Sequence, residues 1–345
     1  MMNEIILSIA IPTYNRANWL KLCLDELLPQ VIAVGNNVDV TVYDNASPDN
    51  TAEVVQTYLD SGLSLNYVRN AENIGSDRNI AQCFNFAKGR YVLILGDDDV
   101  VLEGALRKLT DLLSAGNYGA VFISAYGYNN NFKKEKPKQS VVKPLAFESN
   151  NAFVEKCATN AAFISSLVIN RNSMMGIDAN QFVGTALVQT YLFYEAISRN
   201  SNTLYVNEYL VAAKRIESRD YNVINIFTIE FNNALQYLML KGLDKATINR
   251  INRKLLWYFL PIHLINLRKT QKKVGTEASF IALHQLYKHE ILFWICCMPI
   301  LKFPKWIACF WGYALLALGR VSNGEFGRLW VAFREVTLNA KSKLF

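Results

Sequence analysis

Three consecutive aspartates, Asp97–Asp99, are the residues of this chain with the clearest capacity for chemistry. They follow Gly96 and the apolar run from Tyr91 to Leu95, a pattern that is typical of a buried strand ending in a polar turn. Because adjacent carboxylates repel one another, such a cluster is easiest to tolerate around a bound cation. The triplet therefore predicts a cation site at a strand end, with a solvated acidic turn as the simpler alternative.

Strand and helix patterns alternate throughout the N-terminal part of the chain. Strands are predicted at 5–11, 38–43, 65–68 and 91–95, and helices at 19–28, 51–58 and 77–87. This order predicts a mostly parallel, doubly wound α/β sheet of Rossmann-like type. Such sheets bind ligands at the carboxyl ends of their strands. We therefore expect Asp44, after the second strand, to lie near Asp98.

The common phosphate-binding motifs are missing from this sheet. No G-x-G-x-x-G follows the first strand, and no G-x-x-x-x-G-K-[ST] occurs in the sequence. A dinucleotide site and a P-loop site are therefore not expected. The remaining interpretation is a nucleotide held by carboxylates, with a divalent cation neutralising its diphosphate.

Four motifs give the sequence a family resemblance. They are Ser8–Arg16 (SIAIPTYNR), Asp44–Thr51 (DNASPDNT), Asn73–Asn79 (NIGSDRN) and Leu95–Asp99 (LGDDD). In this order and spacing they resemble family 2 glycosyltransferases, which have the GT-A fold and move a sugar from a nucleotide diphosphate donor to an acceptor hydroxyl. The Gly-Asp-Asp-Asp form, with Gly96 where many members have Asp, resembles enzymes of bacterial surface polysaccharides, nearest to the abequosyltransferase-like enzymes of O-antigen assembly.

The resemblance implies roles for individual residues. The matches to Pro12 and Tyr14 shape the base pocket, and the match to Asp44 binds the base. The matches to Asp98 and Asp99 bind the ribose and the metal-diphosphate respectively, the metal being Mn²⁺ or Mg²⁺. The implied donor-binding set is Pro12, Tyr14, Arg16, Asp44, Asn73, Arg78, Asp97 and Asp98, with Asp99 as the metal ligand. The charged run 214–220 lies where the family often has a mobile loop over the donor; a solvated charge run is the alternative.

The catalytic base is where the sequence departs from the family. Many members carry an acidic pair at the start of the helix predicted at 186–198, and one of the pair deprotonates the acceptor. Here residues 182–186 read FVGTA, without a carboxylate. Asp178, in the loop before this helix, is the predicted base, and a turn-forming role is its alternative. Glu195 and a mechanism without a dedicated base stay open.

Charge and hydropathy divide the chain into two predicted regions, 1–220 and 221–345. Residues 1–240 have a net charge of −5 and residues 241–345 one of +12. The basic part also holds apolar blocks of 11 and 13 residues at 291–301 and 306–318, shorter than the about 20 residues that span a bilayer. This combination predicts a helical extension that lies on an anionic membrane surface rather than one that binds nucleic acid. A homo-oligomer formed through these helices is the alternative.

These observations predict a metal-dependent glycosyltransferase that lies peripherally on the cytoplasmic face of the inner membrane. Its donor would be a UDP-, dTDP-, GDP- or CDP-sugar, and its acceptor a lipid-linked or polysaccharide chain. One alternative is a nucleotide-sugar-binding or scaffolding protein that has lost transfer, which the missing acidic pair favours. A sugar-1-phosphate nucleotidyltransferase is disfavoured because the first loop lacks a Gly-rich, basic triphosphate cradle.

Overall fold

The computed structural model describes residues 4–139, 143–215, 223–269 and 273–322. Most of the predicted donor loop at 214–220 therefore lies outside the described residues. The chain divides into two compact units. The first is Met1–Asp220 with Glu230–Thr247, and the second is Tyr221–Ile229 with Ile248–Phe345. Residues 230–247 thus group with the N-terminal unit, although the sequence places them in the C-terminal region.

A nine-stranded mixed sheet, in the order β3-β2-β1-β4-β8-β6-β9-β5 with β7 paired to β9, is the centre of the first unit. Its strands are β1 Leu7–Thr13, β2 Val38–Asp44, β3 Asn66–Arg69, β4 Tyr91–Ile94, β5 Val100–Val101, β6 Ala120–Tyr128, β7 Leu145–Phe147, β8 Leu167–Asn170 and β9 Thr203–Lys214. The strands β1–β4, β6 and β9 run in one direction, and β8, β5 and β7 run against them.

The central strands β1 and β4 are almost wholly buried, which explains their continuous apolar runs. Strand β1 contains Pro12, a residue that removes a ladder donor. The register with β4 ends at Ala10, so Pro12 lies beyond that ladder and pairs only with Tyr43 of β2. The sequence placed this strand two residues too early because its apolar pattern stops at Ile11.

Helices pack on both faces of the sheet. Those whose bounds lie within the first unit are α1 Ala17–Val34, α2 Thr51–Asp60, α3 Ser76–Asn85, α4 Ala105–Ala115, α5 Phe132–Glu135, α6 Asn150–Cys157, α7 Val188–Arg199 and α9 Phe231–Met239. Every residue of α7 from Val188 to Ile197 is buried, including the polar Gln189, Thr190 and Glu195. This helix packs on β8, α3 and α9.

The apolar sequence of residues 162–170, AFISSLVIN, is typical of one long strand, but the strand that forms there is shorter. Only Leu167–Asn170 pairs in the sheet, and 3-10 turns at Ala158–Ala162 and Ile164–Ser166 precede it. These turns are buried as well, at Ala161, Ser165 and Ser166, so burial of this segment does not require a strand. The turns bring Ser165 to the carboxyl edge of β4, where it contacts Asp99.

The remaining helices are α8 Val223–Asn225, α10 Lys245–Lys254, α11 Leu260–Lys269, α12 Lys273–Tyr287, α13 Met298–Lys302 and α14 Lys305–Ser322, with π-helical segments at Ile226–Glu230, Leu255–Phe259 and Phe293–Cys297. Within the second unit, Leu256, Leu260, Phe293 and Ile300 are buried in its core. Among the described residues, no helix combines the length and the apolar character needed to cross a membrane. The apolar blocks of the sequence correspond mainly to the 293–302 segment and to α14.

Candidate active site

The acidic triplet lies at the carboxyl edge of the sheet, just after β4. The first loop, after β1, reaches it directly. The Thr13 hydroxyl donates to Asp97 Oδ2 at 2.7 Å, and the Arg16 guanidinium donates to Asp97 Oδ1 at 3.1 Å and to Asp98 Oδ2 at 3.2 Å. One guanidinium thus serves two adjacent carboxylates and partly offsets their repulsion.

Asp99 is also buried, and its partners belong to other segments of the chain. The Ser165 hydroxyl donates to Asp99 Oδ2, and the Lys214 backbone N–H donates to Oδ1 at 3.1 Å. The same Ser165 oxygen accepts the Gly96 N–H at 2.8 Å. A Cβ at position 96 would lie 2.9 Å from Asp99 Oδ2, so a larger residue here would displace the Asp99 carboxylate from its hydrogen bond with Ser165.

Burial makes it difficult for the three carboxylates to be ionised together. Desolvation raises the pKa of Asp97 to about 6, despite the opposing Arg16 charge. Desolvation, followed by the charge of Asp98, raises the pKa of Asp99 to about 8. The pKa of Asp98 is also raised, again mainly by desolvation. One arginine therefore does not neutralise the triplet, and a further positive charge is needed for full ionisation.

A divalent cation fits this need. The described residues contain no group of three or more His, Cys, Asp or Glu side chains arranged around a common point. Mg²⁺ and Mn²⁺ take hard oxygen ligands, and Mg²⁺ in particular is often held by one or two carboxylates together with substrate phosphates. Asp98 and Asp99 offer such a pair. Of the two, Asp98 is the more accessible: its side chain is 18% exposed, whereas Asp99 as a whole residue is buried.

Asp44 lies at the end of the neighbouring strand β2 in a separate buried site. Its Oδ1 accepts the Ser47 N–H at 2.8 Å, and its Oδ2 accepts the Tyr67 hydroxyl at 2.6 Å. The Arg69 guanidinium lies 3.5 Å from Oδ2. Two hydrogen bonds and one ion pair to a fully buried carboxylate fix its orientation. The sequence expectation that Asp44 and Asp98 share one edge is met, since Asp44 ends β2 and Asp98 follows β4, the two parallel strands on either side of β1.

The other predicted donor-binding residues differ in their exposure and in their contacts. Asn73 Oδ1 accepts the Asn45 amide at 2.8 Å and the Gly75 N–H at 2.9 Å, and so orders the loop before α3. Tyr14 is 43% exposed at the end of β1, which suits a ring that packs on a ligand. Arg78 is exposed in the first turn of α3 and has no side-chain partner within the described ranges.

Asp178 is not brought to this edge. Its Oδ1 accepts the Asn85 amide at 2.7 Å and the Asn180 N–H at 2.9 Å. Asn85 is the last residue of α3, a helix that starts at the carboxyl edge and runs to the opposite one. Asp178 therefore has the turn-forming role that the sequence left open, and its position gives no support to a catalytic one.

Glu195 is also remote from the triplet, in the third turn of α7. Its carboxylate is 1% exposed and is held by Arg199, Lys241 and Tyr237. It is thus a paired residue of the interior. Ser165, Tyr67 and Arg69 were not predicted from the sequence, because their contacts join segments that are distant along the chain and leave no local pattern.

We expect Ser165→Ala to lower the free energy of unfolding by about 1–3 kcal/mol, because it leaves the buried Asp99 oxygen and the Gly96 N–H without their partner. Urea unfolding followed by circular dichroism would measure this. Ser114→Ala is the matched control, since its hydroxyl bonds only to the Thr110 carbonyl one turn earlier in α4. A loss for Ser165→Ala no larger than for this control would contradict the expectation.

Comparisons with known proteins agree with this geometry. The family model described as glycosyl transferase family 2 matches residues 8–175. The chain is 24% identical over 238 residues to the abequosyltransferase RfbV of Salmonella typhimurium, covering 61% of this chain and 66% of that protein. It is 27% identical over 130 residues, 38% of this chain and 49% of that protein, to WfgD of Escherichia coli, a UDP-Glc:α-D-GlcNAc-diphosphoundecaprenol β-1,3-glucosyltransferase. The chain thus spans less than two thirds of the length of each relative.

The fold is similar to that of TarS 1–349 from S. aureus, solved in complex with UDP-GlcNAc. The TM-score is 0.57 at 14% sequence identity, over 92% of each chain. This likeness confirms the predicted GT-A fold with C-terminal helices. Residues 8–175, which carry all four sequence motifs and the acidic edge, belong to glycosyltransferase family 2.

Proposed function

We propose that the protein transfers a sugar from a nucleotide diphosphate donor to a lipid-linked or polysaccharide acceptor in bacterial surface glycan synthesis. The observation that carries this proposal is the position of the Asp97–Asp99 triplet beside the buried Asp44 site, on one edge of a family 2 domain. The similarity to RfbV and WfgD supports the surface-glycan assignment. A divalent cation, Mn²⁺ or Mg²⁺, is part of the proposal.

Each part of the edge has a proposed task. Pro12, Tyr14 and Asp44 hold the nucleotide base, and Asn73 orders the loop beside it. Asp98 binds the ribose, and Asp99, with Asp98 adjacent, holds the cation. When bound, that cation would act as a Lewis acid on the leaving diphosphate. Arg16 and Arg78 supply further positive charge near the phosphates.

A binding screen with UDP-, dTDP-, GDP- and CDP-sugars in the presence of Mn²⁺ or Mg²⁺ tests this proposal. One nucleotide class should raise the melting temperature, and excess chelator should abolish the shift. Binding of none of the four classes would contradict a donor site at this edge.

A non-catalytic nucleotide-sugar-binding protein is the second candidate. It is favoured by the start of α7, where residues 182–186 carry no carboxylate. Release of sugar from the bound donor, to water or to an acceptor, would exclude it. Donor binding without any turnover would support it.

We further propose that the second unit lies on an anionic membrane surface, on the cytoplasmic face of the inner membrane. Large apolar side chains are exposed on its C-terminal helices, with Trp306 75%, Phe310 74% and Ile291 72% exposed. Lys302 and Lys305 lie between them in sequence. Exposed aromatic and basic side chains together are typical of helices in the membrane interface. This location would give access to a lipid-linked acceptor.

We expect the double variant Trp306→Ser, Phe310→Ser to pellet several-fold less with phosphatidylglycerol vesicles than wild type, because both side chains lose their apolar contact with lipid. Ile32→Ser is the control, since Ile32 is 65% exposed on α1 of the other unit. High salt should weaken wild-type pelleting by screening the basic residues. Equal pelleting of the double variant would contradict the membrane role. A change from dimer to monomer in gel filtration would favour an oligomer instead.

A further inference from the structure

Helices α3 and α7 both begin at the carboxyl edge of the sheet, and one carboxylate joins their starts. Asp77 lies in the first turn of α3. Its Oδ2 accepts the Gly184 N–H at 2.8 Å and the Ala186 N–H at 3.0 Å, just before α7 begins at Val188. Although residues 182–186 contain no acidic residue, a carboxylate thus lies against them from another helix.

The turn that Asp77 holds is strained. Gly184 and Ala186 have φ angles of 93° and 56°. The left-handed conformation costs a non-glycine residue about 1–3 kcal/mol, and such strain clusters at functional sites. Among the described residues, three other non-glycine residues have positive φ. Asn15 and Ala46 lie in the loops after β1 and β2 at the same edge, and Ala158 begins the 3-10 turn Ala158–Ala162.

The start of α7 also connects with the acidic triplet. In its first turn, the Gln189 amide and the Thr190 hydroxyl donate to the Ala162 and Ala161 carbonyls at 3.1 and 3.0 Å. Both alanines lie in the 3-10 turn Ala158–Ala162, and the next turn, Ile164–Ser166, contains Ser165, which donates to Asp99. The start of α7 and the turn before it therefore contact both Asp77 and the segment that leads to the Asp99 partner Ser165.

Most other carboxylates described at this edge are already occupied. Both oxygens accept hydrogen bonds in Asp44, Asp49, Asp97, Asp99 and Glu135. Asp98 binds Arg16 and is assigned to the donor. Asp77 Oδ1, by contrast, accepts no hydrogen bond within the described part of the chain. Its Oδ2 bonds fix the side chain while leaving Oδ1 able to take a proton.

We propose that Asp77 is the catalytic base that deprotonates the acceptor hydroxyl, an inference that rests on the proposed transferase function. The hydroxyl oxygen forms a bond to the anomeric carbon of the donor sugar, and its proton passes to Asp77 Oδ1. The bond between the anomeric carbon and the diphosphate oxygen breaks, and the nucleoside diphosphate leaves with the electron pair. No further reactant is needed.

Two substitutions separate a base from a residue that only orders the turn. Asp77→Asn retains an amide oxygen that accepts the Gly184 and Ala186 N–H groups, but it takes no proton at neutral pH. Asp77→Ala loses both properties. We expect both variants to lower kcat by roughly 100-fold, while the donor Kd stays within a few-fold. The acceptor probe is a short-chain polyprenyl-diphosphate-linked GlcNAc, and the donor is the nucleotide sugar that wild type binds and transfers.

Glu72→Gln is the matched control, an exposed carboxylate on the loop before α3, and should keep wild-type kcat. A near-normal kcat for Asp77→Asn with a low one for Asp77→Ala would overturn the proposal and leave Asp77 as a positioning residue. Wild type that binds a donor but neither transfers nor hydrolyses it would overturn the transferase function and the base together. The first outcome leaves the transferase function intact, so the two failures are distinguishable.

Discussion

Asp98→Asn is expected to reduce sugar transfer by about 100-fold or more, because a neutral amide is a poorer ligand for a hard cation and for a ribose hydroxyl. Asp98 is the most accessible aspartate of the triplet, and its described contact is with the half-exposed Arg16. The substitution also removes one of two charges that share this guanidinium. Folding should therefore change little. Initial rates at increasing Mn²⁺ or Mg²⁺, together with the donor Kd, would measure the effect.

The variant Asp99→Asn is expected to differ from Asp98→Asn in its stability, although both aspartates are candidate ligands of the cation. Each Asp99 oxygen accepts one hydrogen bond and retains a second lone pair, so the residue can still bind a metal from its enclosed position. An amide nitrogen there would face a donor, either the Ser165 hydroxyl or the Lys214 N–H. We therefore expect Asp99→Asn to lose both transfer and some stability, and Asp98→Asn to lose transfer alone.

Asp25→Asn serves as the control for both variants, since Asp25 pairs with Lys21 on the surface of α1. Its rate should equal that of wild type. Unchanged turnover in Asp98→Asn and Asp99→Asn, or full activity in excess chelator, would remove the metal role from the triplet.

At the carboxyl edge of the sheet, local sequence patterns predicted the residues that lie at the ends of strands. The run from Tyr91 to Leu95 predicted β4, and the parallel order of strands predicted that Asp44 and Asp98 meet at one edge. These inferences need only the period of apolar residues and the direction of the chain. The GT-A fold and the family followed from motifs that lie wholly within this part of the chain.

Apolar periodicity does not predict contacts between segments that are distant in sequence. The approach of Ser165 to Asp99 depends on two 3-10 turns whose apolar pattern resembles a strand. Asp178 was placed near the acceptor because it precedes α7 in sequence. In the fold, the chain between Asp178 and α7 crosses from one edge of the sheet to the other, so proximity in sequence did not mean proximity in space.

Glu195→Ala is expected to lower the free energy of unfolding by about 2–4 kcal/mol, the largest stability effect we predict for a single substitution. The buried carboxylate accepts from Arg199 Nε at 2.8 Å, from Lys241 Nζ at 2.7 Å and from the Tyr237 hydroxyl. Arg199 is in the same helix, α7, whereas Tyr237 belongs to α9 and Lys241 follows it. Removing the carboxylate therefore leaves the tyrosine hydroxyl without this partner and breaks the polar connection between two helices.

Lys21→Met is the control for the loss of an ion pair, because the exposed Lys21–Asp25 pair should contribute less than about 0.5 kcal/mol. Urea unfolding at neutral pH would compare the variants. A loss for Glu195→Ala within the range of this control would show that the buried network adds no stability.

The pH dependence of stability provides a second test of Glu195. Burial alone would raise its pKa, but the hydrogen bonds from Lys241, Tyr237 and Arg199 outweigh that effect and hold the pKa below its ordinary value. The folded state thus binds the proton less readily than the unfolded state, in which the pKa of a glutamate is about 4.3. The stabilisation is complete above this pH and is lost as the pH falls through the lower pKa of the folded state. We therefore expect the difference in unfolding free energy between wild type and Glu195→Gln to be constant near neutral pH and to narrow below about pH 4. A difference that stays constant through this acidic range would mean that the charge of Glu195 does not stabilise the contact between α7 and α9.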